Sequence, residues 1–404
     1  MGRWLAMQLR TQVAIIGAGP AGLMLGALLA RRGIDSVILE ARSREYIEQR
    51  IRAGVLEQGS VDAMEEVGAG ARMREHGLVH DGVILRFDGR SHRLDFRALT
   101  GKSVMVYSQH ELVRDLVAHR LATGAALEFE VDGVAVSGIE TSRPEVRFRR
   151  GGRDAVLACD FIAGCDGFHG VSRAAIPADR LRVFEREYPF GWLGVLADVS
   201  PSSPELVYAY HDRGFALLSM RSPSVSRLYL QCAPDEDLAR WPDDRIWSEL
   251  AVRLAADGFT LAAGPISQRS VTSMRSFVAE PMRHGRLVLA GDAAHIVPPT
   301  GAKGLNLAIA DVRLLADALA GFYAGDAREI DDYSAACLRR VWKVERFSWW
   351  MTQMLHRFDD PERGAADAGA EFARRIQRAE LDYVTSSHAA AVTLAENYVG
   401  LPLR

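Results

Sequence analysis

Gly17, Gly19 and Gly22 occupy the spacing Gly-x-Gly-x-x-Gly within Gly17-Ala18-Gly19-Pro20-Ala21-Gly22. That spacing suits a pyrophosphate: the first glycine permits a tight turn, the second lets the backbone approach the phosphate oxygens, and the third lets a helix pack closely on a strand. Glu40, eighteen residues beyond Gly22, is placed to accept hydrogen bonds from ribose hydroxyls. The fingerprint by itself does not say whether the dinucleotide is FAD or a nicotinamide. Two later motifs, Cys165-Asp166-Gly167 and Gly291-Asp292-Ala293-Ala294-His295, each follow an apolar strand. In such a fold Asp292 suits a ribityl hydroxyl, while a helix starting near Gly304 aims its N-terminus at negative charge developing on a flavin.

The elements around these residues are consistent with that chemistry. Val13–Ile16 reads as a strand, Leu23–Arg32 as an apolar helix closed by Gly33, and Val37–Leu39 as a second strand ending at Glu40, which makes a β-α-β unit of a parallel sheet. Helices are predicted over Val55–Val67 and Gln109–Leu121. Short alternating runs between Leu127 and Ile162 (Leu127–Val131, Val146–Phe148, Ala155–Leu157) predict an inserted meander, and the strand-rich stretch Gly191–Cys232 predicts a second sheet walling a pocket. Arg286–Ala290 returns as a strand, then Leu305–Tyr323, Asp331 to about Arg357 and Glu371–Tyr398 read as helices. The fold class is α/β, a Rossmann-like nucleotide fold with an inserted β-sheet domain and a helical C-terminal region. Its expected segments are 1–180, 181–275, 276–325 and 326–404, with Asp359–Gly369 as the linker candidate.

Composition excludes several classes. The 404 residues carry 49 Lys and Arg against 52 Asp and Glu, a net charge of -3, which gives no general attraction to nucleic acid or acidic membranes. Thr11–Ala30 carries no charge and follows Arg3 and Arg10, but its glycines interrupt any spanning helix, so strand, turn and helix explain it better. The stretch before Gln8 shows no pattern, and Met7 competes with Met1 as the start. Four scattered cysteines form no C-x-x-C pair, which points to a reducing cytoplasm without a disulfide framework. His76 and His80 stand four apart with Gly77 between them, so no metal site is read there. No serine lies in a G-x-S-x-G elbow. Gly68-Ala69-Gly70 reads as a helix end, not a second fingerprint.

The three motifs in order resemble the FAD-dependent aromatic hydroxylases with a single dinucleotide fold. Arg50 through Gly59, Gly164 through Gly170, Gly291 through Leu307, Arg346 through Met351 and Glu396 through Pro402 are similar to the p-hydroxybenzoate hydroxylase family, and the likeness spans about Thr11 to Pro402. The resemblance implies hydroxylation of 4-hydroxybenzoate ortho to its hydroxyl, giving 3,4-dihydroxybenzoate, with FAD, O2 and NADH or NADPH, through a flavin C4a-hydroperoxide. It assigns Ser219, Arg221 and Tyr229 to the substrate carboxylate, and Tyr208 and Tyr398 to a relay carrying the phenolic proton toward His80. Pro299 is assigned a carbonyl near the substrate hydroxyl. Lys303, Asn306, Gln109 and Arg52 are assigned to FAD, and Arg50, His169 and Arg275 to the nicotinamide coenzyme. A homodimer is also implied.

The chain departs from the family at Ala41, where NADPH-specific members carry a basic residue; Arg42 and Arg44 remain candidates for a 2'-phosphate, and NADH is the preferred reading. Tyr210 and Met220 also differ near the pocket. Two alternatives stay open: a related hydroxylase of another phenolic acid, or a non-enzymatic binding protein on the same fold.

Overall fold

A computed structural model of the chain describes residues 7–50, 54–358 and 368–403. Its nucleotide half rests on a six-stranded sheet in the order Arg283–His284, Leu287–Leu289, Phe161–Gly164, Val13–Ile16, Ser36–Leu39, Leu127–Glu128. The last five strands are parallel and the first is antiparallel. Val13–Ile16 is buried along its whole length, so a continuous apolar run replaces alternation there. Helix Pro20–Arg31 packs against this sheet, with Pro20 in the first turn, where its missing N–H costs nothing. Arg120, on the helix Gln109–Ala122, ties these layers together: its buried guanidinium donates to the carbonyls of Gly26, Ser36 and Ala126. Burial holds it down to about 10, so it stays charged at neutral pH and needs those carbonyls.

The second large sheet has eight strands in the order His295–Ile296, Ile266–Glu280, Arg182–Ala197, Val225–Cys232, Ala216–Ser222, Val207–Ala209, Gly82–Phe87, Arg90–Asp95. It draws the hairpin Gly82–Asp95 from the first nucleotide segment, because Val207–Ala209 pairs in parallel with Ile84–Arg86. Residues on its strands sort by period two. Leu193, Val195, Val207, Ala216, Leu218, Leu228 and Leu230 pack with Ile246 and Leu250 of the helix Asp243–Arg253. Trp192, Tyr208, Leu217 and Tyr229 belong to a separate core that includes the C-terminal helices.

Three local expectations change. Met7–Arg10, unremarkable in sequence, is a strand parallel to Arg153–Ala158 and closes a four-stranded sheet with Glu145–Arg150 and Asp132–Ser137. Leu127–Glu128 leaves the expected meander for the edge of the parallel sheet, where Ile38 pairs with Leu127. The helix expected from Val55 starts at Gln58, since Val55–Leu56 pairs with Val104–Val106 in a small sheet that also holds Leu78–His80. The late helices Gly304–Tyr323, Arg328–Leu355, Ala368–Ser386 and His388–Val399 follow the expected periodicity. Of the linker candidate, residues 359–367 lie outside the described residues, as do Arg52 and Met1. Among the described residues no helix is long and apolar enough to cross a membrane.

Candidate active site

The glycine turn has the geometry a phosphate cradle needs. Gly17 has φ +103°, and a Cβ there would run into the backbone of Cys165 and Asp166, just beyond the adjacent strand Phe161–Gly164. Gly22 abuts Gly17 and Ile15, while nothing lies within 4 Å of a Cβ built on Gly19. Helix Pro20–Arg31 begins there with no side-chain cap, so its first amides remain for an anion. Glu40 accepts from the amides of Ala18 at 2.7 Å and Arg42 at 2.8 Å, which holds its carboxylate against the turn. Asp292 is exposed just beyond the strand Leu287–Leu289, and Gln109 opens the helix Gln109–Ala122. These residues fit a flavin dinucleotide.

Asp311, which the sequence reading does not single out, holds the Asp292 turn in place. Its carboxylate accepts from the Gly291 amide at 3.0 Å and pairs with His295 Nε2 at 2.6 Å, and both side chains are almost fully buried. Burial works against charge on His295, but attraction to Asp311, helped by Asp292 and Glu345, outweighs it and raises the imidazole. A raised histidine stabilises the fold fully below its unfolded value of about 6.5. That contribution is lost as pH rises through the folded value. Asp311→Asn should therefore lower Tm most below pH 6.5, with a loss of about 3 kcal/mol, and the gap to wild type should shrink as pH rises. A gap that is constant or grows with pH in thermal melts would refute the pairing.

Lys303 is buried and donates to Glu57 Oε1 at 2.6 Å and to the Tyr398 carbonyl at 2.7 Å. Burial lowers its affinity for the proton, against the attraction of Glu57. Glu57 also takes Arg340 at 3.1 Å, so one buried carboxylate serves two cations. Glu57 was not legible in sequence as anything but a surface acid. The Asn306 side chain bonds within the protein: its Oδ1 accepts from the Glu57 amide and Ser60 hydroxyl, and its Nδ2 donates to the carbonyls of Val55 and Ala302. That uses the side-chain amide's full bonding capacity, so the side chain positions the helix start. Pro299 is exposed in a short turn, and its carbonyl accepts from Ala302 at 2.9 Å.

The substrate candidates converge on one face of the eight-stranded sheet. Leu217 pairs across the ladder with Tyr208 on one side and Tyr229 on the other, and Ser219 pairs with Arg227, so these side chains share a face. Gly194 lies opposite Tyr229, and a Cβ there would stand 3.2 Å from the tyrosine ring. Trp192 stacks on Phe215 and donates to His356 Nε2 at 2.7 Å, which seats the end of the long helix against this sheet. Burial and then the neighbouring Arg227 push Arg221 down to about 10, still charged at neutral pH. Arg227 donates to the Tyr229 hydroxyl, and its NH1 is buried without a partner among the described residues. Sequence reasoning missed Arg227, although it stands two residues before Tyr229 and so shares its strand face. It also missed His110, whose Nδ1 lies 3.4 Å from Arg221 NH2.

Tyr208 and Tyr398 share a 2.6 Å hydrogen bond between hydroxyls, both almost fully buried. Burial raises both phenols, so both stay neutral. Neither ring nitrogen of His80 bonds Tyr398: Nε2 contacts the Met220 sulfur and Nδ1 has no partner among the described residues. Burial lowers His80, favouring the neutral ring.

Among the nicotinamide candidates, Arg275 lies 4.9 Å from the Phe168 ring, which meets His169 edge-on at 4.9 Å. Arg50 is exposed at the end of the helix Arg44–Gln49. Arg44 pairs with Glu48 at 2.7 Å, and Arg42 lies over the Tyr46 ring at 5.3 Å. Among the described residues no group of three or more His, Cys, Asp or Glu is placed to hold a metal.

Comparison with known proteins agrees with this geometry. Residues 10–348 match the family model described as an FAD binding domain. A p-hydroxybenzoate hydroxylase of Acinetobacter baylyi is 51% identical over 397 residues, covering 98% of this chain and 96% of that protein. A 3-amino-4-hydroxybenzoate 2-monooxygenase of Streptomyces cremeus is 26% identical and covers 87% of this chain and 89% of its own length. The crystal structure of p-nitrophenol 4-monooxygenase from Pseudomonas putida superposes with a TM-score of 0.81 at 18% identity, covering 98% of this chain and 99% of that one.

Proposed function

The chain belongs to the family of FAD-dependent aromatic hydroxylases that includes p-hydroxybenzoate hydroxylase, and from that premise we propose that it converts 4-hydroxybenzoate to 3,4-dihydroxybenzoate. The observation that carries the substrate is the pairing of an anion site with a buried hydroxyl chain: Arg221 and Arg227 beside Ser219 and Tyr229 on one sheet, and Tyr208 of the same sheet bonded to Tyr398 of the helix His388–Val399. Bound FAD would take hydride from NADH or NADPH and activate O2; Gly17, Gly19, Gly22, Glu40, Asp292 and Gln109, with Arg52, are the residues to hold it.

The chain's own residues do the rest. The guanidinium fork of Arg221 takes the carboxylate, and the neighbouring Arg227 adds positive charge beside it. A free phenol ionises near 10, so at neutral pH the ring needs a route for its proton. Tyr208 accepts it while passing its own to Tyr398, and water carries it on to the neutral His80. The Pro299 carbonyl, with one lone pair left after Ala302, orients the substrate hydroxyl. Lys303, at the N-terminus of the helix Gly304–Tyr323, adds positive charge where a reduced flavin is negative.

NADH is the expected coenzyme, since Arg44 is engaged by Glu48 and Ala41 offers no charge to a 2'-phosphate; Arg275 and His169, which meet at the Phe168 ring, are its candidate docking contacts. The four free, buried cysteines accord with a cytoplasmic setting. A homodimer is supported by exposed apolar residues on two neighbouring helices: Trp342 and Trp349 on Arg328–Leu355, and Phe372, Ile376 and Tyr383 on Ala368–Ser386. Ile376→Glu should convert the dimer to monomers in sedimentation; a variant that stays dimeric removes this face as the interface.

The deciding experiment is oxidation of NADH and NADPH by the FAD-loaded protein with and without 4-hydroxybenzoate, with 3,4-dihydroxybenzoate and peroxide quantified. Stimulated oxidation with stoichiometric 3,4-dihydroxybenzoate is expected. Stimulation yielding mainly peroxide would mean that the true substrate is another phenol.

A further inference from the structure

The two nitrogens of the buried His80 ring have different surroundings. Nε2 lies 3.1 Å from the Met220 sulfur, whereas Nδ1 is buried without a hydrogen-bond partner among the described residues. Met220 is itself buried, at the point where the ladder between Ala216–Ser222 and Val225–Cys232 shifts register. A thioether has lone pairs and no proton to give. A neutral imidazole in this contact therefore carries its hydrogen on Nε2 and keeps its lone pair on Nδ1.

We infer that Met220 is a positioning residue, fixing the His80 tautomer so that Nδ1 is the atom that receives the phenolic proton. The inference rests on the relay proposed above. The step balances without a co-reactant: the substrate O–H bond breaks, each tyrosine hydroxyl and the water between Tyr398 and His80 gain one proton and release one, and an N–H bond forms at Nδ1. The products are phenolate and imidazolium, and no electrons are transferred. Sulfur suits the role because it is a weak acceptor that holds the N–H without competing for the transferred proton. A carboxylate at the same place would keep His80 charged and close the route.

Histidine-selective 15N NMR of the FAD-loaded protein reads the tautomer directly, with His80→Asn identifying the His80 signals among eleven histidines. The expected result is hydrogen on Nε2 and none on Nδ1. Met220→Leu keeps the bulk but removes the acceptor. It should shift hydrogen toward Nδ1 and slow phenolate formation, followed by absorbance after mixing with 4-hydroxybenzoate, by about tenfold or more. Met220→Gln, whose amide oxygen can accept from Nε2, should restore the rate. Hydrogen on Nδ1 in the wild type, or a wild-type rate of phenolate formation in Met220→Leu, overturns the inference. If His80→Asn itself ionises the bound phenol at the wild-type rate, the relay fails; if only Met220→Leu does, the relay stands and the role of Met220 falls.

Discussion

Replacing Arg221 with lysine is expected to raise the apparent KM for 4-hydroxybenzoate at least about tenfold and by as much as about a hundredfold, while FAD stays bound. The range follows from losing one charge-assisted bond of roughly 1.5 to 3 kcal/mol, at about 1.4 kcal/mol per factor of ten. Lysine keeps the charge but not the planar fork that takes both carboxylate oxygens. The flavin cradle lies on the parallel sheet around Gly17 and Gly22, whereas Arg221 lies on the strand Ala216–Ser222 of the other sheet, so the flavin spectrum of the variant should be unchanged. Arg227 remains nearby and moderates the loss. Steady-state kinetics on the FAD-loaded variant give the answer, and an unchanged KM would remove Arg221 from the substrate site.

Tyr208→Phe should separate NAD(P)H oxidation from hydroxylation. The substitution deletes the hydroxyl that bonds Tyr398 at 2.6 Å, so the proton route is cut at its first member. Positioned proton transfer contributes roughly a hundredfold or more, and ring attack slowed on that scale loses to release of peroxide. Product formed per NAD(P)H should fall well below one, with hydrogen peroxide making up the balance, and substrate KM should change little because Arg221 and Ser219 are untouched. The Tyr398 hydroxyl, left buried without its partner, adds a stability cost of about 1 to 3 kcal/mol. Measured product equal to wild type per coenzyme consumed would show that Tyr208 does not carry the proton.

The residues legible in sequence are those whose role depends on their neighbours along the chain. Gly17, Gly19 and Gly22 lie within one turn, and Gly17 indeed adopts φ +103° against the Cys165 strand. The apolar run Val13–Ile16 and the helices Gly304–Tyr323 and Arg328–Leu355 follow from periodicity, which is also local. Arg221, Tyr208 and Tyr398 were legible only through family likeness, because an arginine or tyrosine on a strand has the same local pattern whether it binds a ligand or faces solvent.

What the chain order by itself determined is a dinucleotide turn within a β-α-β unit, a strand-rich insertion and a helical end, because each is set by patterns within a few tens of residues. Only the tertiary structure decided that Glu57 is shared by Lys303 and Arg340, 246 and 283 residues away in sequence. It likewise decided that Asn306 spends its amide on the protein, that Asp311 holds the Asp292 turn, and that Met220 rests on His80. The physical reason is the same in each case. Buried polar groups must find partners, and which partner a group finds depends on which strands and helices the fold brings together.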